Sequence, residues 1–81
     1  MWIRSQNDEY LINTNYFKIE EYAKSPMADI DTRVEDRTIT LGTYSTKGKA
    51  VKVLDIIQDR LIYDCDFYQM PRDDEVEDDG N

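Results

Sequence analysis

Apolar and polar positions alternate through Trp2-Ile3-Arg4-Ser5, which predicts a first short strand closed by the polar turn Gln6-Asn7-Asp8-Glu9. Tyr10-Leu11-Ile12 is a second short apolar run, ended by the turn-prone cluster Asn13-Thr14-Asn15. From Tyr16 to Tyr22 the alternation is clear, with Phe17 and Ile19 pointing one way and Tyr16, Lys18, Glu20 and Tyr22 the other. That is the pattern of a half-buried strand. Ala23 to Asp31 contains Lys24-Ser25-Pro26 and few β-branched residues, and reads as a loop. Thr32–Glu35 and Thr38–Tyr44 then read as two strands joined at Asp36-Arg37, the second with Ile39 and Leu41 on one face and threonines on the other. No Asn-Gly or Asp-Gly marks that join as a two-residue hairpin.

The period changes after Tyr44. Ala50, Val53, Leu54, Ile57 and Leu61 recur at spacings of three, four and seven, one apolar stripe of a helix over residues 46–62. Ser45 or Thr46 supplies the N-cap, while Lys49, Lys52, Asp55 and Asp59 face away from the stripe. Gly48 in the first turn costs about 1 kcal/mol against alanine, which the stripe outweighs. Phe67-Tyr68-Gln69-Met70 reads as a last strand stopped by Pro71. The order is ββββαβ, give or take one strand. It predicts an α+β domain in which a small twisted antiparallel sheet of four to five strands packs on one amphipathic helix.

Length and charge sharpen this picture. Eighty-one residues make one domain with a thin core. The net charge of −8 is uneven: residues 71–81 hold Arg72 against Asp73, Asp74, Glu75, Glu77, Asp78 and Asp79. The division expected is a folded domain over 1–71 and a solvated, disordered acidic tail over 72–81, in which only Val76 could be buried. Met1-Trp2-Ile3-Arg4 leads into polar residues, so neither a signal peptide nor a membrane span is expected, and a cytoplasmic address is.

Four blocks carry a resemblance. Trp2-Ile3-Arg4-Ser5-Gln6, Leu41-Gly42-Thr43-Tyr44-Ser45-Thr46, Ala50-Val51-Lys52-Val53-Leu54-Asp55-Ile56-Ile57-Gln58 and Tyr68-Gln69-Met70-Pro71 resemble short proteins encoded in phages and prophages of Gram-positive bacteria. The resemblance spans nearly the whole chain and implies a phage accessory protein in the host cytoplasm; it transfers no functional residues. Locally, Leu41–Thr46 followed by an alanine-bearing helix is also similar to the end of the three-stranded DNA-binding domains of plant ethylene-response factors and some phage integrases. Strand, cap and helix in that order follow from packing alone, and the residues available to read DNA are Arg33, Arg37 and a row of threonines, with Glu35 and Asp36 between.

Catalytic chemistry has little to stand on. Without histidine there is no imidazole base, no triad and no usual zinc set. The single cysteine, Cys65, lies between Asp64 and Asp66, a setting that disfavours a nucleophilic thiolate. Gly42, Gly48 and Gly80 do not form a phosphate loop. Asp73-Asp74-Glu75 lacks the spacing and glycine of a calcium-binding loop. No enzyme activity, metal or cofactor is therefore expected.

Binding remains. The tail acids Asp73, Asp74, Glu75, Glu77, Asp78 and Asp79 could occupy the basic groove of a nucleic-acid-binding protein, could shield the helix lysines, or could only solubilise the chain. Tyr16 and Tyr22, opposite Phe17 and Ile19, are the aromatic contact candidates, against the plainer reading that they pack on the 23–31 loop. Lys47, Lys49 and Lys52 oppose the helix dipole and so are candidates to face an anion, although solubility is the favoured explanation for them. Direct nucleic-acid binding is disfavoured by the net charge. The leading expectation is a phage-encoded modulator or inhibitor of a host protein, of the counter-defence (anti-CRISPR-like) kind. A nucleic-acid-binding module, a small-molecule-sequestering oligomer and a virion component are the alternatives, and a homodimer is among the assemblies considered.

Overall fold

The computed structural model describes residues 1–77. Six strands and one long helix follow in order: β1 (Trp2–Arg4), β2 (Leu11–Asn13), β3 (Lys18–Glu21), β4 (Ala28–Val34), β5 (Arg37–Tyr44), α1 (Lys47–Ile62) and β6 (Phe67–Gln69), then a 3₁₀ turn at Asp73–Glu75. The class is the expected α+β. The strands do not form one sheet, however. They form two three-stranded sheets, ordered β2-β1-β6 and β3-β4-β5.

The first sheet is not wholly antiparallel. β1 pairs antiparallel with β2 (Ile3 opposite Ile12) but parallel with β6 (Ile3 opposite Tyr68). Parallel neighbours need a long crossover, and here β3, β4, β5 and α1 all lie within it. The second sheet is an antiparallel meander centred on β4, with Lys18 opposite Asp31 and Glu20 opposite Asp29. β4 and β5 meet through a two-residue turn at Glu35-Asp36, one position earlier than the sequence pattern indicates. Glu35 takes the left-handed φ of 58° that the turn demands.

The loop expected over 23–31 is half strand. Ala28, Ile30 and Thr32 turn inward and are fully buried, while Asp29 and Asp31 turn outward between β3 and β5. Ala and Asp are poor strand formers, so β4 owes its conformation to pairing on both sides. A bulge between Ile30 and Asp31 re-registers it against β5.

The helix follows its stripe. The Thr46 hydroxyl accepts the Lys49 N–H at 3.1 Å, settling the N-cap, and Ala50, Val53 and Ile57 are buried. The buried face lies across β3, β4 and β5. Leu61, the last member of the stripe, is exposed beyond the sheet. Between the layers lie Ile3, Ala28, Ile30, Leu41, Tyr44, Ala50, Val53, Ile57, Met70 and Val76.

Gln6 joins the two sheets. Its backbone N–H donates to the Leu41 carbonyl at 2.7 Å, and its side-chain amide exchanges two bonds of 3.0 Å with the Thr43 N–H and C=O. The side chain thus imitates a peptide unit along the free edge of β5. The acidic segment is also partly structured, against the expectation of a disordered tail from residue 72. The Asp73 carboxylate accepts the Ser45 N–H at 2.7 Å, and Val76 is buried in the core. One buried valine and one charge-assisted backbone bond hold five residues that composition alone assigns to solvent.

Candidate functional site

The outer face of the second sheet is built by the period-two alternation of its strands. Phe17, Ile19, Ala28, Ile30 and Thr32 turn toward the helix, which leaves Lys18, Glu20, Tyr22, Asp29, Asp31, Arg33, Thr38, Thr40 and Thr43 pointing away from it. Tyr16 stands at the entry to β3, 48% exposed, and Tyr22 at its exit, 44% exposed. The sequence expectation that both tyrosines face outward is met. Tyr22 is also anchored: its hydroxyl reaches both oxygens of Asp29 at 3.1 Å, and the Thr43 hydroxyl donates to Asp29 at 2.8 Å. The Asp29 hydrogen bond comes first among the causes that raise the Tyr22 phenol above its ordinary pKa.

Asp31 is the residue that sequence reasoning missed. It lies two residues from Asp29 on the same face, yet it is only 7% exposed. Burial raises its pKa above the ordinary carboxylate value; the Thr40 hydrogen bond opposes this, Asp29 and Glu20 add to it, and Lys18 opposes it. Among the described residues its Oδ1 has no hydrogen-bond partner. The signal lay in Ala28-Asp29-Ile30-Asp31-Thr32, an alternation hidden by treating the segment as a loop.

The helix lysines are occupied within the chain. Lys47 pairs with Glu21 at 3.4 Å, and Lys49 with Asp73 at 3.4 Å and the Asp73 carbonyl at 3.0 Å. Lys52 is half-buried along a groove shared with Ile56, Tyr68, Glu75 and Glu77. Two of the three candidate anion-facing lysines, Lys47 and Lys49, are thus directed at the protein's own carboxylates. Of the intramolecular-shield expectation, the Lys49–Asp73 contact is the part realised.

The tail acids within the described residues do not form one continuous external row. The Ser45 backbone N–H, foremost, and the Lys49 ammonium hold the Asp73 carboxyl below its ordinary pKa. Glu75 accepts the Arg72 N–H at 2.8 Å. Asp74 and Glu77 face solvent, and Asp78 and Asp79 lie outside the described residues.

Two other surfaces stand out. Trp2 and Phe67, neighbours in register across β1 and β6, share the outer face of the first sheet with Leu11, and all three are exposed. A cleft of about 580 Å³ runs beside β5 from Gln6 and Tyr10 to Arg37. Cys65 is a half-buried free thiol. Among the described residues no group of three or more His, Cys, Asp or Glu could hold a metal ion, and no helix is long and apolar enough to cross a membrane. Comparisons with protein-family models, with curated proteins and with solved structures found no match to this chain.

Proposed function

We propose that this chain is a non-catalytic binding protein whose outer β3–β4–β5 face docks on a basic patch of another protein. The observation that carries the reading is the pairing of two half-exposed tyrosines with Glu20, Asp29 and Asp31 on one sheet face. Tyrosines of this kind contribute large contact area for little lost side-chain freedom. The net charge of −8 would steer a cationic partner toward the molecule and repel nucleic acid. Because the chain resembles short phage and prophage proteins, the partner proposed is a host protein in the bacterial cytoplasm, and the effect is modulation or inhibition, as in counter-defence. A basic nucleic-acid-binding protein is the partner class that the charge favours.

The test is affinity capture from a Gram-positive host extract with the intact chain and with a Tyr16→Ala/Tyr22→Ala variant. A specific basic protein held by the first and lost by the second supports the docking face. Equal retention by both removes it.

A second reading has its own observation. Trp2, Leu11 and Phe67 expose apolar surface on the outer face of the first sheet, beside Arg4, Asn13 and Gln69, and such a patch serves self-association. Light scattering at rising concentration, with Trp2→Ser as the control, checks whether a homodimer forms.

A further inference from the structure

The second sheet is bounded by β3 and β5, and their free edges differ. β3 carries Lys18, Glu20 and Glu21, charges of the kind that keep a strand edge from pairing with another chain. Thr38-Ile39-Thr40-Leu41 of β5 has no charge and no proline, and its β-branched residues favour an added strand. This stretch lies along the cleft of about 580 Å³, which Gln6, Asn7 and Tyr10 also line, with Arg37 at the strand's start.

The register shows which backbone groups face the cleft. A two-residue turn makes Val34 and Arg37 a hydrogen-bonded pair, so Arg37 and Ile39 direct their backbone groups at β4. Those of Thr38 and Thr40 therefore point outward. Past the bulge, the Leu41 carbonyl and both groups of Thr43 point outward too, and Gln6 bonds all of them. The chain thus fills one half of this edge with its own imitation of a peptide. Among the described residues nothing bonds the outward groups of Thr38 or Thr40, and both residues are exposed.

The lining also says what fits. Arg37 is the one charged residue along the cleft, and it makes no ion pair among the described residues. A second copy is a poor occupant: each copy brings a charge of −8. Paired about Ile39, it would also set Leu41, not a carboxylate, across from Arg37. An extended segment of another protein meets both conditions, and facing Arg37 to Thr40 it spans about 13 Å.

We propose that β5 accepts an extended segment of a partner protein as an added antiparallel strand, paired with Thr38 and Thr40 and bearing an Asp or Glu across from Arg37. Read from its N-terminal end, the segment is β-branched across from Thr40, apolar across from Ile39 and β-branched across from Thr38, with the acid last. Its main chain supplies the affinity and its alternate side chains the selectivity. The site goes beyond the outer-face reading and stands without it.

The probe is the synthetic peptide acetyl-Ser-Thr-Val-Thr-Glu-Ser-amide, titrated into the full chain and followed by amide NMR. Saturable shifts and slowed hydrogen exchange at the Thr38 and Thr40 amides are expected. Methylating the backbone nitrogen of either peptide threonine, whose N–H faces β5, should weaken binding about tenfold. Methylating that of the valine, whose N–H faces away, should leave it within about twofold. Changing the peptide glutamate to glutamine should weaken binding about two- to fivefold in the parent chain and not in Arg37→Gln. Thr38→Pro removes an outward donor while keeping the bonds to β4, so it should abolish binding with the urea midpoint little changed. Tyr16→Ala/Tyr22→Ala should leave peptide binding as it is, which keeps this site separable from the docking face. No saturable binding, equal loss from all the methylated peptides, or shifts centred away from β5 would overturn the site. So would light scattering that shows the chain alone to dimerise and Thr38→Pro to abolish the dimer, for the edge would then belong to a second copy.

Discussion

Asp73 reaches 28 residues back along the chain to accept the Ser45 backbone N–H at 2.7 Å, while Lys49 approaches the same carboxylate at 3.4 Å. The acidic C-terminal segment is thereby fastened to the start of α1, and Val76 follows it into the core. Asp73→Ala is therefore expected to destabilise the protein by roughly 1.5–3 kcal/mol, the range for losing a hydrogen bond to a charged group. Asp74→Ala, at an exposed position, should stay within about 0.5 kcal/mol. Urea denaturation of the two variants checks the contrast.

Asp73 and Asp31 should give pH dependences of opposite sign. The Asp73 pKa is lowered on folding, so its stabilisation is complete above the ordinary carboxylate value of 3.8 and is lost as pH falls below it through the folded value. The Asp31 pKa is raised on folding, so the folded protein holds its proton more tightly than the unfolded chain does. Its contribution is complete below 3.8 and is lost as pH rises through the folded value. Asp73→Asn should flatten the fall in stability on the acid side. Asp31→Asn should remove the loss on the other side and fold at least as stably as the parent near neutral pH. Denaturation midpoints across the acid range measure both.

Gly42 sets a third expectation. A Cβ at this position would stand 2.9 Å from the Tyr44 hydroxyl oxygen and 3.1 Å from a ring carbon. The ring has nowhere to retreat, since it is fully buried and its hydroxyl donates to the Pro71 carbonyl at 2.8 Å. Gly42→Ala should cost about 1–3 kcal/mol, as overpacked core positions do. In the Gly42→Ala background, Tyr44→Phe removes the nearest contact, the hydroxyl oxygen at 2.9 Å, but leaves the ring carbons at 3.1 and 3.2 Å, so it should relieve only part of the clash. A double-mutant cycle by urea denaturation reads this directly.

Gln6 gives a fourth. Its side chain bonds the Thr43 N–H and C=O at 3.0 Å and the Pro71 carbonyl at 3.2 Å, linking both sheets to the C-terminal segment. Gln6→Glu has no amide N–H to donate and places a charge against two carbonyls. It should therefore destabilise more than Gln6→Ala, and hydrogen exchange should quicken at the Thr43 amide in both variants.

These expectations divide along the line of what the chain pattern reveals. Ala50, Val53 and Ile57 recur at helical spacing and are the residues buried beneath α1, and the Tyr16–Tyr22 alternation places its tyrosines on the outer face as read. Both patterns are local and strong. The first half of β4 was hidden because Ala28, Asp29 and Asp31 are weak strand formers, held extended by pairing with β3 and β5 on either side. The partition into two sheets, with β6 parallel to β1, rests on a pairing across more than sixty residues that no window of sequence contains. Val76 and Asp73 look like tail by composition, and only the position of Ser45 and the gap in the core make them structural. Asp31 followed β4 out of sight.

The most direct examination of the docking face is hydrogen–deuterium exchange on the full chain with and without its captured partner. Slowed exchange confined to the segments 16–22, 28–33 and 38–43, and diminished by Tyr16→Ala/Tyr22→Ala, is the expected footprint. Protection on the first sheet around Trp2 and Phe67, with 16–22 and 28–33 unchanged, would contradict it.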